Sequence, residues 1–562
     1  MKAVYKELSL NVKDIQNAVK FKDDNIIFES DEYVIKTCGF FLNTSDCLKE
    51  YSCKNIVELL CKIVEQGKQV PLVLHGSYFI VFFNKRSNLL YIFNDLLSKR
   101  SLYYYFDKNT KALLFSDSFF STLELVKENK FAYSIDSLGI KMMLWHRMFY
   151  DDLTYVREIK FLRPFEYIEV INGELNVKAI NRSDMLNVSM DEASKEINRL
   201  FNKAVRLQYQ KNDENGYPQI TTLSGGMDSR TTFLYGLGNG YKEQMCYCYG
   251  ESTSADYQYS RLLAIKNNCN FYFHPIDGGN HLFEREKMCE ANEGQIVYSG
   301  PSGVYDSLRF YNTNRWGIVH AGLGGGEIMG DMRVADNPTK SERIIESLKY
   351  KLGKGKKDRS WESFFRSLRC TEEDRKRIEE FKQHYSDFNE FQSLNDMRRC
   401  LNAQKMAQSF GIEYVSPFLY EEFFCYMLRI PYNLTKDRKL YLYWQKKYNP
   451  EQFKTPSTFQ LGCRPGNKIG YYSRRFYKFA MNKMGKKTKY DMIPVEQWMA
   501  INPNIAKTQE EWFEMDMVNI RSKVDNSIVH LLVESWKSNA AYRPNILTAT
   551  WVLNRIYKNN KE

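Results

Sequence analysis

Leu223-Ser224-Gly225-Gly226-Met227-Asp228-Ser229-Arg230 is the stretch on which the rest of the chain turns. Before it, Gln219-Ile220-Thr221-Thr222-Leu223 is β-branched and reads as a strand. After it, Thr231-Thr232-Phe233-Leu234-Tyr235 opens a helix that stops near Gly236 and Gly238. Strand, glycine turn and helix together make a phosphate-binding geometry. Gly225 and Gly226 let the backbone approach a ligand with no Cβ in the way. The N–H groups at the helix start then face an anion, aided by the helix dipole. Ser224 and Ser229 add hydroxyl donors. Asp228 would repel bare phosphate, and a Mg²⁺ ion that takes carboxylate and phosphate oxygens together removes that conflict. The Lys-Ser/Thr ending of a P-loop is absent.

At 562 residues the chain is too long for one ordinary core, so two or more domains are expected. The formal net charge of +12 is spread along the chain and is densest at 351–359 and 474–489. Such runs either draw in a polyanion or an anionic membrane surface, or are solvated faces. No aromatic-interleaved nucleic-acid motif accompanies them, so no nucleic-acid partner is expected. The 12 cysteines are scattered without paired C-x-x-C spacing, which argues against zinc and fits a reduced cytoplasm. The first residues lack a long apolar run, and no stretch reaches membrane-spanning length.

From Asn25 to Phe119 the pattern is one of short strands. Gly76 to Phe83 and Leu89 to Phe93 form a hairpin across Asn84-Lys85-Arg86-Ser87-Asn88. Ile56 to Val64 has helical spacing, and Leu102 to Phe106 and Leu114 to Ser116 read as strands. A further hairpin lies within Tyr155 to Ile180, with Asn172-Gly173 as its turn. Ser189 and Glu192 then form a capping-box signature ahead of an amphipathic helix. Strands at 219–223, 244–250 and 270–275 alternate with helices, which predicts a parallel sheet with helices on both faces. Ligands in such sheets sit at the carboxyl ends of strands, where Ser224 and Gly250 both fall, suiting phosphates and adenosine respectively. His274, alone at a strand end, reads as structural.

Ser-Gly-Gly-x-Asp-Ser between strand and helix looks like the pyrophosphate loop of enzymes that cleave ATP to AMP and pyrophosphate. With its flanks it resembles the asparagine synthetase family. Gly322-Leu323-Gly324-Gly325-Gly326-Glu327-Ile328-Met329-Gly330-Asp331 resembles that family's second signature, Gly-Glu-Gly-x-Asp-Glu-x-x-Gly. Leu323 and Gly326 stand where the family has a substrate-contacting Glu and a Mg²⁺-holding Asp, while Gly322, Gly324, Glu327 and Gly330 match. A shifted turn would let Glu327 or Asp331 supply the carboxylate; otherwise that ligand is lost. Gly411 to Leu419 resembles the Gly-x-Glu-x-Arg-x-Pro-Phe-Leu-Asp segment, with Val415 for its Arg and Tyr420 for its Asp. Counting from Asn449-Pro450, the family's catalytic Lys falls on Thr458, with Lys454 the nearest lysine.

The first part of the chain resembles the glutaminase domain of class II amidotransferases, in which a hairpin leads to an Asp-x-x-Gly turn and a Leu-Tyr-Tyr strand. Asp95, Arg100 and Leu102-Tyr103-Tyr104 follow that order. Those enzymes use a cysteine exposed by removal of Met1, with its own α-amine as base. Here residue 2 is Lys, and Cys38 and Cys47 are internal, so neither is expected to pair with a terminal amine. No glutamine hydrolysis is expected.

The resemblance implies an Ntn-hydrolase-like, β-rich α+β domain over 1–182, then an α/β ATP-pyrophosphatase domain over 183–562 with a helical carboxy-terminal part. It implies ATP and Mg²⁺ as cofactors, with Asp228 as metal ligand. Ser224, Gly225, Gly226, Asp228, Ser229, Gly250 and Gly322 would bind the nucleotide, and Asp228, Glu327 and Lys454 are the catalytic candidates. Arg230 either adds charge or faces solvent. The implied reaction adenylates a small-molecule or peptide carboxylate and couples it to ammonia or an amine. Asparagine synthesis and an inactive nucleotide-binding scaffold stay open. A looser likeness, in Ile493-Pro494 to Trp498 and the Leu547-Thr548 tail, is to asparagine-synthetase-like proteins of surface-polysaccharide clusters, which links the chain to polysaccharide or peptide biosynthesis.

Overall fold

The computed structural model describes residues 1–6, 9–13, 24–300, 302–330, 360–463, 467–538 and 540–558. Asp331 and the basic run at 351–359 lie outside the described residues.

The amino-terminal part folds as alternation dictates. Strand Gly76–Asn84 pairs antiparallel with Tyr33–Phe41 on one side and with Leu89–Asn94 on the other. They belong to a six-stranded sheet whose far edge is the hairpin of Glu166–Ile171 and Glu174–Ala179. That hairpin turns on Asn172 and Gly173, at φ 50° and 77°, the two positive values a tight hairpin turn requires. A five-stranded antiparallel sheet pairs Lys2–Lys6 with both Ser9–Lys13 and Ala112–Ser116, and continues through Tyr103–Asp107 to Lys160–Phe161. Ala3, Tyr5, Leu113 and Phe115 of this sheet pack against Phe79, Val81, Leu90 and Ile92 of the other. The outer face of the six-stranded sheet buries Ile80 and Phe82 against Ile56, Leu59, Leu60 and Ile63 of helix Ile56–Glu65. Helices Phe119–Glu128 and Ser137–His146 join Tyr103, Tyr105 and Leu114 of the five-stranded sheet in one core. The result is two antiparallel sheets between helical layers. The two latter helices were not read from the sequence.

Helix Met190–Glu214 opens the second part, and both halves of its capping box form. A five-stranded parallel sheet follows in the spatial order Asn270–Pro275, Gln244–Gly250, Gln219–Thr222, Ile318–His320, Glu413–Val415. The chain builds outward from Gln219–Thr222 in one direction, then crosses back to build in the other. The crevice between Gln219–Thr222 and Ile318–His320 is therefore a topological switch point, where ligands bind in such sheets. From 468 on, the regular elements of the described chain are all helices, closing with Arg543–Tyr557.

The two parts share a core. Phe119, Met143 and Tyr155 cluster with Ile220, Val319, Leu547 and Val552. Ion pairs cross between the parts: Lys141 with Asp374 at 2.5 Å and Lys211 with Asp24 are buried, and Lys99 with Glu421 at 2.5 Å and Arg100 with Glu413 are largely so. Buried pairs are costly to break singly, because the remaining charge stays desolvated.

Candidate functional site

The loop 223–226 leaves the carboxyl end of the central strand and enters helix Met227–Gly238 with Gly226 as N-cap. Its donors are held by the loop's own side chains and one neighbour. The Ser224 N–H donates to Ser229 Oγ at 3.0 Å, and the Gly226 N–H to Ser224 Oγ at 3.2 Å. The Ser224 and Ser229 hydroxyls lie 3.0 Å apart. The Gly225 N–H donates to Asp256 Oδ1 at 3.0 Å. Asp256 is nearly buried, which pushes its carboxyl above the ordinary range, against the pull of this N–H, Lys478 and the Thr458 hydroxyl.

Glycine is required at three positions here. A Cβ on Gly225 would meet Thr458 Cγ2 at 2.7 Å, and one on Gly322 would meet the Ser229 nitrogen at 2.2 Å. The second contact seats the turn that follows Ile318–His320 on the first turn of the loop's helix. Gly325 is a third such position, since its Cβ would meet Asp228 Cγ at 2.6 Å. The two glycine turns thus meet across the switch point, with Asp228 between them.

Asp228 accepts a hydrogen bond from the Tyr441 hydroxyl at 2.9 Å. Burial is the largest influence on its carboxyl and pushes it up. Glu327 pushes the same way, while Arg438, Tyr441 and Gly326 oppose. Glu327, in the short helix Gly325–Ile328, is close enough to act on Asp228, but its Oε1 accepts from Arg399 at 3.2 Å. Among the described residues no three His, Cys, Asp or Glu side chains group as a metal site. Mg²⁺ needs only one or two carboxylates when phosphates supply its other oxygens. Asp228, with Glu327 near it and a cradle of glycines around it, fits that requirement.

Thr458 lies on the loop, its N–H donating to the Gly225 carbonyl at 2.9 Å. Arg230 explains how the 452–458 strap is held there. It is 0% exposed, and its guanidinium donates to the carbonyls of Gln452 and Thr455 at 3.1 Å and of Pro456 at 2.7 Å. The solvent-facing alternative for Arg230 is thereby corrected: five donors in a planar fork suit a strap of carbonyls. Lys454 does not reach the loop. Its side chain is 60% exposed and pairs with Glu451 on the same turn. Gly250 ends its strand as expected, with Met492 on it: a Cβ would meet Met492 Cγ at 2.9 Å, and the Glu251 N–H donates to the Met492 carbonyl at 3.0 Å. His274 bonds Asp306 at 2.9 Å. Sequence reasoning missed Asp256, Arg438 and Tyr441 as neighbours of the loop, and no local motif marks them; Arg399 was legible only as part of Arg398-Arg399, which resembles the Arg ahead of the family's Gly-x-Glu segment.

In the amino-terminal part, Cys38 and the terminal amine approach one carboxylate. The Met1 amine lies 3.1 Å from Asp117 Oδ1, and Cys38 Sγ lies 3.9 Å from Asp117 Oδ2. Pairing of Lys2 with Ser116 places Met1 beside Asp117, while Cys38 on Tyr33–Phe41 is partly buried against the core between the sheets. Arg100 stands 4.0 Å from the same carboxylate and pairs with Glu413. Burial pushes the Cys38 thiol up, and Arg100 only partly opposes this, which disfavours a thiolate. Asp95 is also buried and is pushed up to about 6, while accepting the N–H groups of Lys99 and Arg100 at 2.9 and 3.0 Å. It organises the 95–100 turn.

No protein-family profile matches the chain, and no curated protein matches it. Two solved structures that it resembles are an allosteric regulatory enzyme of purine biosynthesis and the glutamine phosphoribosylpyrophosphate amidotransferase of B. subtilis complexed with ADP and GMP. Identity to the first is 7%, over 44% of this chain and 62% of that one, with a TM-score of 0.20. Identity to the second is 7%, over 44% and 47%, with a TM-score of 0.19. The chain spans less than two thirds of the length of either, and so slight a likeness assigns it to neither family.

Proposed function

We propose that this protein is an ATP-dependent amide-forming ligase that cleaves ATP at the α-phosphate. The observation that carries this reading is the meeting of the Ser224–Ser229 loop and the 322–326 turn across the switch point, with Asp228 between them. In the proposed reaction a carboxylate oxygen attacks the α-phosphorus, the bond to the β-phosphate oxygen breaks, and pyrophosphate leaves. An amine nitrogen then attacks the acyl carbon, AMP leaves with the bonding pair, and the amine proton passes to solvent. The loop N–H groups and the Ser224 and Ser229 hydroxyls exchange their internal partners for the departing pyrophosphate. Asp228 would hold Mg²⁺, which would neutralise charge on the phosphate oxygens. Catalysis of this kind rests on positioning and charge neutralisation. The two antiparallel sheets between helices support the glutaminase-like resemblance of the first part, while the protonated state favoured for Cys38 supports the absence of glutamine hydrolysis.

Leu323 weighs against aspartate as the carboxylate. It stands in the family's substrate-contacting position and packs against the apolar cores. The scaffold reading draws on one observation, the engagement of Glu327 by Arg399 beside a loop that carries Thr458 in place of a lysine. Pyrophosphate–ATP exchange with a panel of carboxylates separates the readings. Carboxylate-dependent exchange supports the ligase. ATP binding without exchange or AMP formation supports the scaffold, and asparagine formed from aspartate and ammonia would favour the synthetase.

A further inference from the structure

Helix Lys468–Lys483 turns large apolar side chains to the outside. Surface helices bury their apolar stripe and expose the polar one. Here Ile469 and Phe476, 86% and 72% exposed, lie seven residues apart on one outward face, and Tyr472, Tyr477 and Met484 are exposed beside them. The less exposed side is mixed, with Tyr471, Phe479 and Ala480 beside Arg475 and Lys478, whose polar ends are engaged. Lys478 pairs with Asp491 at 2.8 Å and donates to the Tyr490 carbonyl at 2.9 Å, and Arg475 donates to the Tyr471 hydroxyl at 2.9 Å. From 467 to 490 the sequence carries eight Lys and Arg residues and no Asp or Glu. Lys483, Lys486 and Lys489 are exposed at the carboxyl end of the helix; Lys487 is paired with Glu251 at 2.8 Å.

We propose that this helix docks on an anionic lipid surface. Outward aromatic and aliphatic side chains flanked by lysines are what an interfacial helix presents, with its apolar face at the headgroup boundary and its cations among acidic headgroups. A second copy fits poorly, because a two-fold contact through this face would oppose two stretches that each carry eight Lys and Arg residues and no Asp or Glu to pair with them. The helix is tied to the candidate site. Arg474 donates to the Leu461 carbonyl at 2.7 Å, within three residues of Thr458, whose N–H holds the Gly225 carbonyl. A docked helix therefore sets the glycine-turn crevice close to the surface.

The test is co-sedimentation of the full-length protein with vesicles of phosphatidylcholine alone and of phosphatidylcholine mixed with phosphatidylglycerol. The proposal expects binding to the mixed vesicles only, weakened at about 0.5 M salt. It expects I469D/F476D and K483E/K486E each to lower binding roughly tenfold or more, with unchanged circular dichroism and thermal midpoint. These substitutions are at exposed positions, so the fold is expected to persist. Absence of binding to the mixed vesicles overturns the proposal, as does binding that both variants leave unchanged. A lipid-free dimer that I469D/F476D dissociates, without vesicle binding by the wild type, identifies a second copy as the occupant and overturns it equally.

Discussion

Asp228 and Arg230 are two residues apart and do opposite work. Asp228 sits between two glycine turns with its carboxyl pushed up by burial, so Asp228→Asn is expected to leave stability within about 1 kcal/mol of wild type. The same change is expected to lower pyrophosphate–ATP exchange at least roughly a hundredfold, since it removes the anionic metal ligand. Arg230 holds the strap by its carbonyls, and Arg230→Met should cost about 2–4 kcal/mol in urea unfolding by leaving buried acceptors unpaired. His320 stacks on Tyr209 at 3.6 Å between ring centroids, bonds Gln219 Oε1 at 2.8 Å, and is held by burial at about 3. Its pKa is thus lowered on folding, so between about pH 6.5 and 3 the unfolded chain binds a proton that the folded chain does not. Stability should fall as pH falls through that window, and His281, lowered to about 4, acts in the same direction. Thermal midpoints of wild type and His320→Gln across that range check this; equal acid slopes would exclude a contribution from His320. Ser224 to Ser229 was legible because its chemistry is local. Asp256, Arg438 and Tyr441 come from other elements, where nothing in their immediate sequence marks them.

At the scale of elements, strands and hairpins were the most legible feature. Gln244–Gly250 and Asn270–Pro275 fall where alternation and β-branched or aromatic residues put them, and the Ser189–Glu192 cap starts its helix as read. Strand Glu413–Val415 was missed because three residues carry no period. It is a strand only because Ile318–His320 pairs with it. Thr458 was placed by counting from Asn449-Pro450, and the strap does run over the loop there, though Lys454 turns outward. Two elements meet at Gly225, so Gly225→Ala should push the strap off the loop: its Cβ would lie 2.7 Å from Thr458 Cγ2 and 3.0 Å from the Asp256 Cα. Loss of nucleotide binding with retained circular dichroism is the expected result, measured by calorimetric titration with MgATP.

Over the whole molecule, the expected antiparallel and parallel sheets are both present, and what the sequence did not disclose is how far they merge. The core around Tyr155 and Ile220 runs through both parts, and ion pairs join them at Lys99–Glu421 and Lys141–Asp374. Such contacts arise between residues hundreds of positions apart, beyond the reach of any local pattern. They predict one cooperative unfolding transition by scanning calorimetry; two well-separated peaks would show that the parts are energetically independent. The same merging brings Glu413, at the edge of the parallel sheet, against Arg100 of the other part, so the crevice and the Cys38–Asp117 cluster are braced by one framework. The central claim is cleavage of ATP at the α-phosphate beside Asp228. Its most direct test is product analysis of α-labelled ATP incubated with wild-type protein, Mg²⁺, a carboxylate panel and an amine. The account predicts labelled AMP from wild type and none above background from Asp228→Asn. Labelled ADP as the product, or AMP formed equally by both proteins, would contradict it.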